Sequence, residues 1–325
     1  MPAELHCGFT NSGPNPRSES GAVVAAASVV VSRVAHEAPS IRQDGFGVRQ
    51  IEDVPRAGRV ERLAVSPALA TPTSEQAIRA RAAHLNRLGP GPIGRVAKIE
   101  RKASGLIITS LLPDGVPLSD ILAALEFGTL TLSDDEVLEL AASVVRGAAR
   151  MHEMLGSLAH GALTPAHVVL MRDGTSVFTG AVFGDAIQSL QRNRESIWRE
   201  FGLALPAAAA APRFDKRSDV TQLGAIVLAI ALRRSLRRDE FPRGIGDLIM
   251  LTTAASTFDG NSRLHMWLQD GLQLHGRVVF DSAVDASRAF DRLLPDDCGD
   301  GAEALALRTA ILQMSGASSS GASAA

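Results

Sequence analysis

The 325-residue sequence is poor in aromatic residues: tyrosine is absent, and aromatics make up only 4% of the chain. Hydrophobic residues nevertheless reach 46%, which is enough for a sizeable core. Such a core has to be built mainly from alanine, valine, leucine and isoleucine. The length allows one large domain or two small ones.

Cysteine and net charge are also scarce. Cys7 and Cys298 are the two cysteines and lie near opposite ends of the chain. They can form neither a disulfide framework nor a zinc site, which fits a reducing, cytoplasmic location. The formal net charge of −2 gives no overall attraction to nucleic acid or to an anionic membrane. We therefore expect a cytoplasmic protein that does not bind nucleic acid.

Long apolar runs are missing as well. The stretch Ala225–Leu232 is apolar but spans only eight residues, too few to cross a bilayer. Gly21–Val31 is the best candidate for the core of a signal peptide, but the leader before it mixes acidic and basic residues. We interpret it as a buried strand or helix, and we expect no membrane span.

The order of patterns along the chain predicts an α+β protein. Residues 1–40 indicate a disordered or variable leader, because they begin with a Ser-, Gly- and Pro-rich stretch of little periodicity. Residues 41–112 alternate short apolar segments with turns around a single helix, which predicts a small β-rich lobe. Residues 113–294 are mainly helical in pattern, and residues 295–325 form an extension with a flexible tail.

Helix signals are clearest in the third region. Ser133 and Glu136 form a capping-box pattern before a helical run that reaches Leu155. In the second region, Ser74 is the candidate cap for a helix over Glu75–Leu88. Further helices are predicted over residues 219–233, 244–256, 262–273, 282–294 and 302–314.

The segment His160–Leu170, HGALTPAHVVL, resembles the catalytic loop of protein kinases, whose pattern is H-R-D-L-x-x-x-N. Ala162 stands at the position of the catalytic base, and His167 stands at the position of the metal-binding Asn. A methyl group accepts no proton, and imidazole is a poor magnesium ligand. The frame of the loop is present without its reacting groups.

A second match follows at the expected distance. Arg217-Ser218-Asp219-Val220, then Leu223-Gly224, resembles the start of the central helix in bacterial Ser/Thr kinases. The resemblance covers about residues 45–294 and implies a two-lobed protein-kinase-like fold. It also implies structural roles for His160, Pro165 and Asp219, with Asp219 holding the backbone of the catalytic loop.

The other kinase positions lack their expected side chains in this resemblance. Ser66 falls at the strand Lys that grips ATP phosphates, and Arg81 falls near the helix Glu that pairs with that Lys. The metal-binding Asp falls on Gly180 by usual spacing, although a second register uses the visible Phe183-Gly184. Neither register supplies an Asp.

The resemblance therefore implies a degenerate kinase-like domain, or pseudokinase, that works in signalling as a protein-interaction scaffold or allosteric regulator. We expect no catalytic residues, no metal and no required cofactor. The basic cluster Arg233, Arg234, Arg237 and Arg238 is either a solvated helix end or a docking patch for an acidic protein partner.

Two alternatives stay open. A divergent Ser/Thr kinase could transfer phosphate from ATP with relocated groups such as Glu100, Asp114 or Asp185. A nucleotide sensor could bind ATP weakly and without metal in an apolar cleft under Leu112-Pro113. The sequence names neither the partner nor the oligomeric state.

Overall fold

The computed structural model describes residues 40–54, 58–207, 212–255, 261–274 and 279–294. Residues 1–39 of the predicted leader, the helix predicted at 302–314, the predicted C-terminal tail and both cysteines lie outside these ranges, whereas Ser40 already belongs to the first strand. Within them, the chain forms a five-stranded antiparallel sheet followed by a larger helical region.

The sheet belongs to the first part of the described chain. Its strands, in the spatial order β1-β2-β3-β5-β4, are β1 (Ser40–Asp44), β2 (Gly47–Val54), β3 (Gly58–Val65), β4 (Val96–Lys102) and β5 (Gly105–Leu111). The apolar runs Leu63-Ala64-Val65 and Leu106-Ile107-Ile108, which predict strands, lie in β3 and β5. The strands β1, β2 and β4 are rich in charged residues, contain no such run and were not predicted.

A single helix, α1 (Pro72–Leu85), is inserted between β3 and β4. It begins earlier than the sequence predicted. Thr71 caps it by accepting a hydrogen bond from the Ser74 amide, so the prediction of Ser74 as the cap was wrong. Pro72 at the first helical position explains the shift, because its ring favours helix initiation and it lacks the amide that would otherwise need a partner.

A second, three-stranded sheet contains the strand that directly follows the loop resembling a catalytic loop. The strands are β6 (Gly115–Pro117), β7 (Val168–Met171) and β8 (Ser176–Phe178), paired antiparallel in that order. A helix that the sequence reading missed, α2 (Leu118–Glu126), follows β6. A 3-10 turn over Pro165–His167 leads directly into β7.

The helical region is organised around α3 (Asp134–Leu155) and α6 (Lys216–Ala231), both deeply buried. The predicted capping box of Ser133 and Glu136 is present at the start of α3. Helix α6 begins before the predicted residue 219, because Asp215 caps it through the Ser218 amide. The remaining helices are α4 (Gly184–Gln188), α5 (Arg194–Phe201), α7 (Ile245–Ala255), α8 (Asn261–Gly271) and α9 (Ala283–Asp291).

Candidate functional site

Asp219 lies one turn into α6 and is almost fully buried. Its Oδ2 accepts a hydrogen bond from the His160 amide at 2.6 Å, and its Oδ1 accepts one from the Gly161 amide at 2.7 Å. A buried carboxylate is stable only when donors satisfy it, and these donors are backbone groups of the loop. Asp219 thus ties the loop to α6.

His152 of α3 supplies the third donor to Asp219. The Ala283 amide donates to His152 Nδ1 at 3.0 Å, so Nδ1 must be the unprotonated nitrogen. Nε2 therefore carries the proton and donates it to Asp219 Oδ2 at 3.0 Å. We call Asp219, His152 and the amides of His160 and Gly161 the Asp219 anchor.

His160 and Pro165 shape the loop itself. The Nδ1 of His160 accepts a hydrogen bond from the Ala162 amide at 3.2 Å, and Pro165 starts the 3-10 turn. Burial lowers the pKa of His160 to about 4, and the nearby positive charge of Arg81 adds to this effect, while Asp219 opposes it. The ring is therefore neutral at physiological pH.

The two positions that would carry the base and a metal ligand in a kinase bond to each other here. The Nδ1 of His167 donates to the Ala162 carbonyl at 2.6 Å, since a carbonyl can only accept. Its Nε2 accepts from Arg49 at 2.7 Å. Burial lowers the pKa of His167 well below its usual value, and Arg49 lowers it further. Both ring nitrogens are occupied, and neither has a lone pair free for a metal.

Gly180 lies directly against the His167 ring. A Cβ at Gly180 would stand 2.8 Å from the ring atoms Cε1 and Nε2, closer than such atoms approach one another, and the backbone φ is +77°. An aspartate at this position cannot coexist with His167 in its present place. The two positions that carry metal ligands in kinases, His167 and Gly180 here, therefore cannot both hold a side chain of that size in this arrangement.

Arg81 lies on α1 and is buried, but it forms no pair with a strand lysine. Its guanidinium donates to the backbone carbonyls of Ala159 and Ala181, and it lies 3.8 Å from the Asp185 carboxylate. Arg81 thereby ties α1 to the segments before and after the catalytic-like loop.

The strand that would carry the ATP-binding lysine is β3. Ser66 lies just beyond its end, where the Ser66 amide donates to the Phe46 carbonyl at 2.8 Å. The β3 side chains that face the interlobe space are Glu61 and Leu63. The chain contains three lysines, and two of them, Lys98 and Lys102, belong to β4 while Lys216 belongs to α6. None lies on β3.

The tight turn between β1 and β2 places the Phe46 ring in the space between the lobes. Phe46 is 2% exposed, and its ring centroid lies 4.6 Å from that of His167, 5.1 Å from Phe183 and 5.4 Å from Phe201. The turn comes so close to α5 that a Cβ at Gly45 would collide with the Glu200 carbonyl.

Arg49 follows on β2 and fills the space beside Phe46. It is 6% exposed and donates to Asp44 at 2.9 Å, to both oxygens of Glu61 at 3.0 and 3.1 Å, and to His167. Burial alone would lower the pKa of Arg49, but Glu61 and Asp44 raise it above the ordinary value. We call Phe46 and Arg49 the plug.

Little room remains behind the plug. The residual cavity, between β3, β5, Leu112 and the segment 179–183, measures about 20 Å³. A site needs roughly 10–15 Å³ to hold one water molecule. The cavity that Arg49 lines is therefore about the size of one water molecule. Its charged residues, Arg49 and Glu61, are bonded to each other.

The acidic residues considered as relocated catalytic groups lie elsewhere. Asp114 and Asp185 are mostly exposed, with Asp114 3.5 Å from Arg172. Glu100, on β4, is 2.9 Å from Lys98. None of the three lines the residual cavity.

The basic cluster after α6 is partly neutralised within the chain. Arg233 pairs with Asp134 at 2.6 Å, and Arg234 pairs with Glu240 at 2.7 Å. Arg237 and Arg238 are exposed and form no ion pair with a described residue. The surface available to an acidic partner therefore narrows to these two arginines.

The plug was missed from the sequence, although its residues left a signal. Phe46 is an aromatic between two glycines, in a chain with few aromatics. Arg49 and Glu61 are charged residues on the inward face of adjacent strands, where Arg49 lies opposite Leu63. A charged pair at inward strand positions indicates a polar site or a buried ion pair, and here it is the latter.

Solved structures share this architecture. The kinase domain of Mycobacterium tuberculosis PknI matches at 18% identity with a TM-score of 0.53, covering 80% of this chain and 98% of that one, and a double mutant of it matches with a TM-score of 0.55. The maize SIRK1 kinase domain, solved with AMP-PNP bound, matches at 15% identity with a TM-score of 0.54, covering 83% of this chain and 93% of that one. No protein-family model and no curated protein matches the chain.

These likenesses show that the chain has the Ser/Thr protein-kinase fold, with a β-rich first lobe and a helical second lobe, as predicted. In the part of the chain that the structure describes, no helix is long and apolar enough to cross a membrane. The same residues contain no group of three or more His, Cys, Asp and Glu side chains placed to hold a metal ion.

Proposed function

We propose that the chain is a catalytically inactive, kinase-like module, a pseudokinase, that acts through protein interactions as a scaffold or allosteric regulator. The observation that carries this proposal is the occupied interlobe cleft. Phe46 and Arg49 pack against His167 between the lobes, where the resemblance to kinases would place a nucleotide, and the cavity that Arg49 lines there measures about 20 Å³.

The chemistry of the site supports the same function. Phosphoryl transfer depends on positioning and on neutralising the charge of the phosphates, with metal ions held by carboxylate and amide oxygens. Ala162 supplies no base, and the nitrogens of His167 are bonded to Ala162 and Arg49. Loss of one such group can cost a factor of about 10²–10³ in rate. Loss of the whole set leaves no route to catalysis.

The contacts of the acidic residues considered as relocated catalytic groups do not favour a divergent kinase. Asp185 is held near Arg81 and Asp114 near Arg172, both on the surface and away from the residual cavity. Metal-free ATP sensing would require the plug to leave. Arg49 would then lose its bonds to Glu61 and His167, which makes opening costly.

Phosphate incorporation tests the proposal. The purified chain is incubated with radiolabelled ATP and magnesium or manganese, alone and with generic protein substrates, beside an active Ser/Thr kinase domain. We expect no label above background in the chain or in the substrates. Label that persists through repurification of the chain would overturn the proposal.

Thermal unfolding gives an independent readout. A ligand at 100 times its Kd stabilises a protein by about 2.7 kcal/mol, which is visible as a rise in Tm. We expect ATP with magnesium to leave the Tm of this chain unchanged, while the active kinase domain is stabilised.

A further inference from the structure

A second cavity, which we call the front cavity, lies on the other side of the plug and measures about 300 Å³. Its walls come from the β1–β2 turn, the catalytic-like loop, the end of α5, the inner face of α6 and the segment 235–238. This volume reaches the range of pockets that bind small organic ligands, roughly 300–1,000 Å³. The front cavity is therefore much larger than the cavity beside Arg49.

One wall residue has a donor without a partner. Gln222 of α6 is 1% exposed, and its Oε1 accepts a hydrogen bond from the Leu163 amide at 2.7 Å. This bond fixes the orientation of the side-chain amide, and its Nε2 is left buried with no hydrogen-bond partner. Buried polar groups are nearly always paired, so an unpaired donor on a residue that lines the cavity favours an occupant that carries an acceptor.

The rest of the wall is apolar on α6 and basic at the mouth. Ala225, Ile226 and Ala229 line the inner side. Both carboxylates in the lining have arginine partners: Glu200 pairs with Arg192, and Asp44 shares Arg49 with Glu61. The negative charge of Glu200 is thus compensated by Arg192, and that of Asp44 in part by Arg49.

Two lining arginines have no such compensation. Arg199 and Arg238 are exposed and form no ion pair with a described residue. Trp198 lies in the same wall, and its indole N–H donates to the Arg238 carbonyl at 2.9 Å, which holds the Arg238 backbone at the rim. The uncompensated charge at the mouth is positive, so it favours an anion.

We propose that the front cavity binds a small organic anion with an apolar body, such as an aryl or alkyl carboxylate. The apolar part packs against α6, an acceptor oxygen takes the free Gln222 amide proton, and the anionic group pairs with Arg199 and Arg238. Because both lobes line the cavity, the occupant would tie the β1–β2 turn to the helical lobe. The front cavity shares no lining residue with the cavity beside Arg49, and this binding does not depend on the absence of catalysis.

Titration calorimetry with defined probes tests this site. The probes are 3-phenylpropionate, octanoate and indole-3-acetate, each compared with its neutral primary amide. We expect at least one carboxylate to bind with one-to-one stoichiometry and about tenfold more tightly than its amide, as expected for a charge-assisted pair. Absence of binding by all three carboxylates at millimolar concentration would overturn the proposal, as would equal affinity for the acid and the amide.

Variants locate the binding. Arg199→Gln and Arg238→Gln should each weaken the carboxylate about tenfold and leave the amide unchanged. Arg237→Gln is the matched control, because Arg237 is an exposed arginine of the same segment that does not line the cavity. Ala166→Leu, at the half-buried rim, should reduce binding of both probes by filling the space. Affinity that is unchanged in all three lining variants would show that the probe binds elsewhere and would contradict the assignment.

Discussion

The Asp219 anchor and the interlobe cleft are neighbouring parts of one fold with opposite designs. In the anchor, a buried carboxylate receives donors from His152 and from the amides of His160 and Gly161, and the loop is held in a defined shape. In the cleft, charged and polar side chains bond to one another: Arg49 donates to Glu61 and to His167. The anchor that holds the loop and the side chains that fill the cleft are therefore separate sets of residues, and the fold contains both.

Removing the anchor charge should have the largest effect. Asp219→Asn replaces one acceptor oxygen by an NH₂ group facing donors, in a fully buried network. We expect a loss of about 3–5 kcal/mol in unfolding free energy, measured by urea denaturation.

Asp215→Asn is the matched control for that variant, because it is the same substitution four residues earlier in the chain. Asp215 caps α6 through the Ser218 amide, and asparagine caps helices about as well as aspartate. We expect a change within about 0.5 kcal/mol. Equal losses in the two variants would argue against a special role of the anchor.

Acid should destabilise the folded state through the buried histidines. The pKa of His160 is lowered to about 4 in the folded protein, against an ordinary value of 6.5. The unfolded chain therefore binds the proton first, and stability falls as pH drops from about 6.5 to about 4, below which the loss levels off. For His160 alone the loss is about 3 kcal/mol.

The measurement is urea denaturation at a series of pH values, with His160→Asn as the comparison. The asparagine can still accept the Ala162 amide bond but takes up no proton in this range. The stability of the variant should fall less steeply between pH 6.5 and 4. An identical slope would show that His160 is not the group responsible.

Restoring the missing aspartate should damage the cleft rather than repair it. Gly180→Asp brings a side chain against the His167 ring at a backbone φ of +77°. We expect the free energy of unfolding, measured by urea denaturation, to fall by about 2 kcal/mol. In the double variant, His167→Asn should recover a part of this loss.

Gly128→Asp separates backbone strain from crowding. Gly128 has a similar φ of +69°, and a Cβ there would meet no atom within 4 Å. In urea denaturation, Gly128→Asp should lower the free energy of unfolding less than Gly180→Asp does. If the two losses were equal, the contact between Gly180 and His167 would not be the cause.

Asp185→Asn should have the smallest effect. Asp185 is mostly exposed and lies 3.8 Å from the buried Arg81, whose guanidinium keeps its hydrogen bonds to the Ala159 and Ala181 carbonyls in the variant. We expect neither a measurable change in stability nor a change in the background of the phosphate assay. A phosphate-transfer signal that this substitution abolishes would instead support the divergent kinase.

The kinase-like fold could be predicted from the sequence because the motifs that indicate it are local. The loop His160–Leu170 and the start of α6 carry recognisable residues at a fixed spacing, and a capping box marks α3. The plug depends on a long-range meeting of Phe46 and Arg49 with His167, more than a hundred residues away. No local pattern states that such side chains meet, although charged residues on inward strand faces were a usable hint.

The front cavity was equally hidden. Gln222 reads as an ordinary polar residue within the buried helix α6, and its unpaired amide follows only from the position of the Leu163 backbone. Arg238 was predicted as part of a basic patch of four. The structure distinguishes it from Arg233 and Arg234, which already have carboxylate partners.

Calorimetric titration of ATP into the purified chain, once with magnesium and once with a chelator, tests the central claim most directly. A cleft filled by Phe46 and Arg49 should give no measurable heat of binding under either condition at millimolar nucleotide. Saturable one-to-one binding, with or without metal, would show that the cleft opens to a nucleotide and would contradict the account.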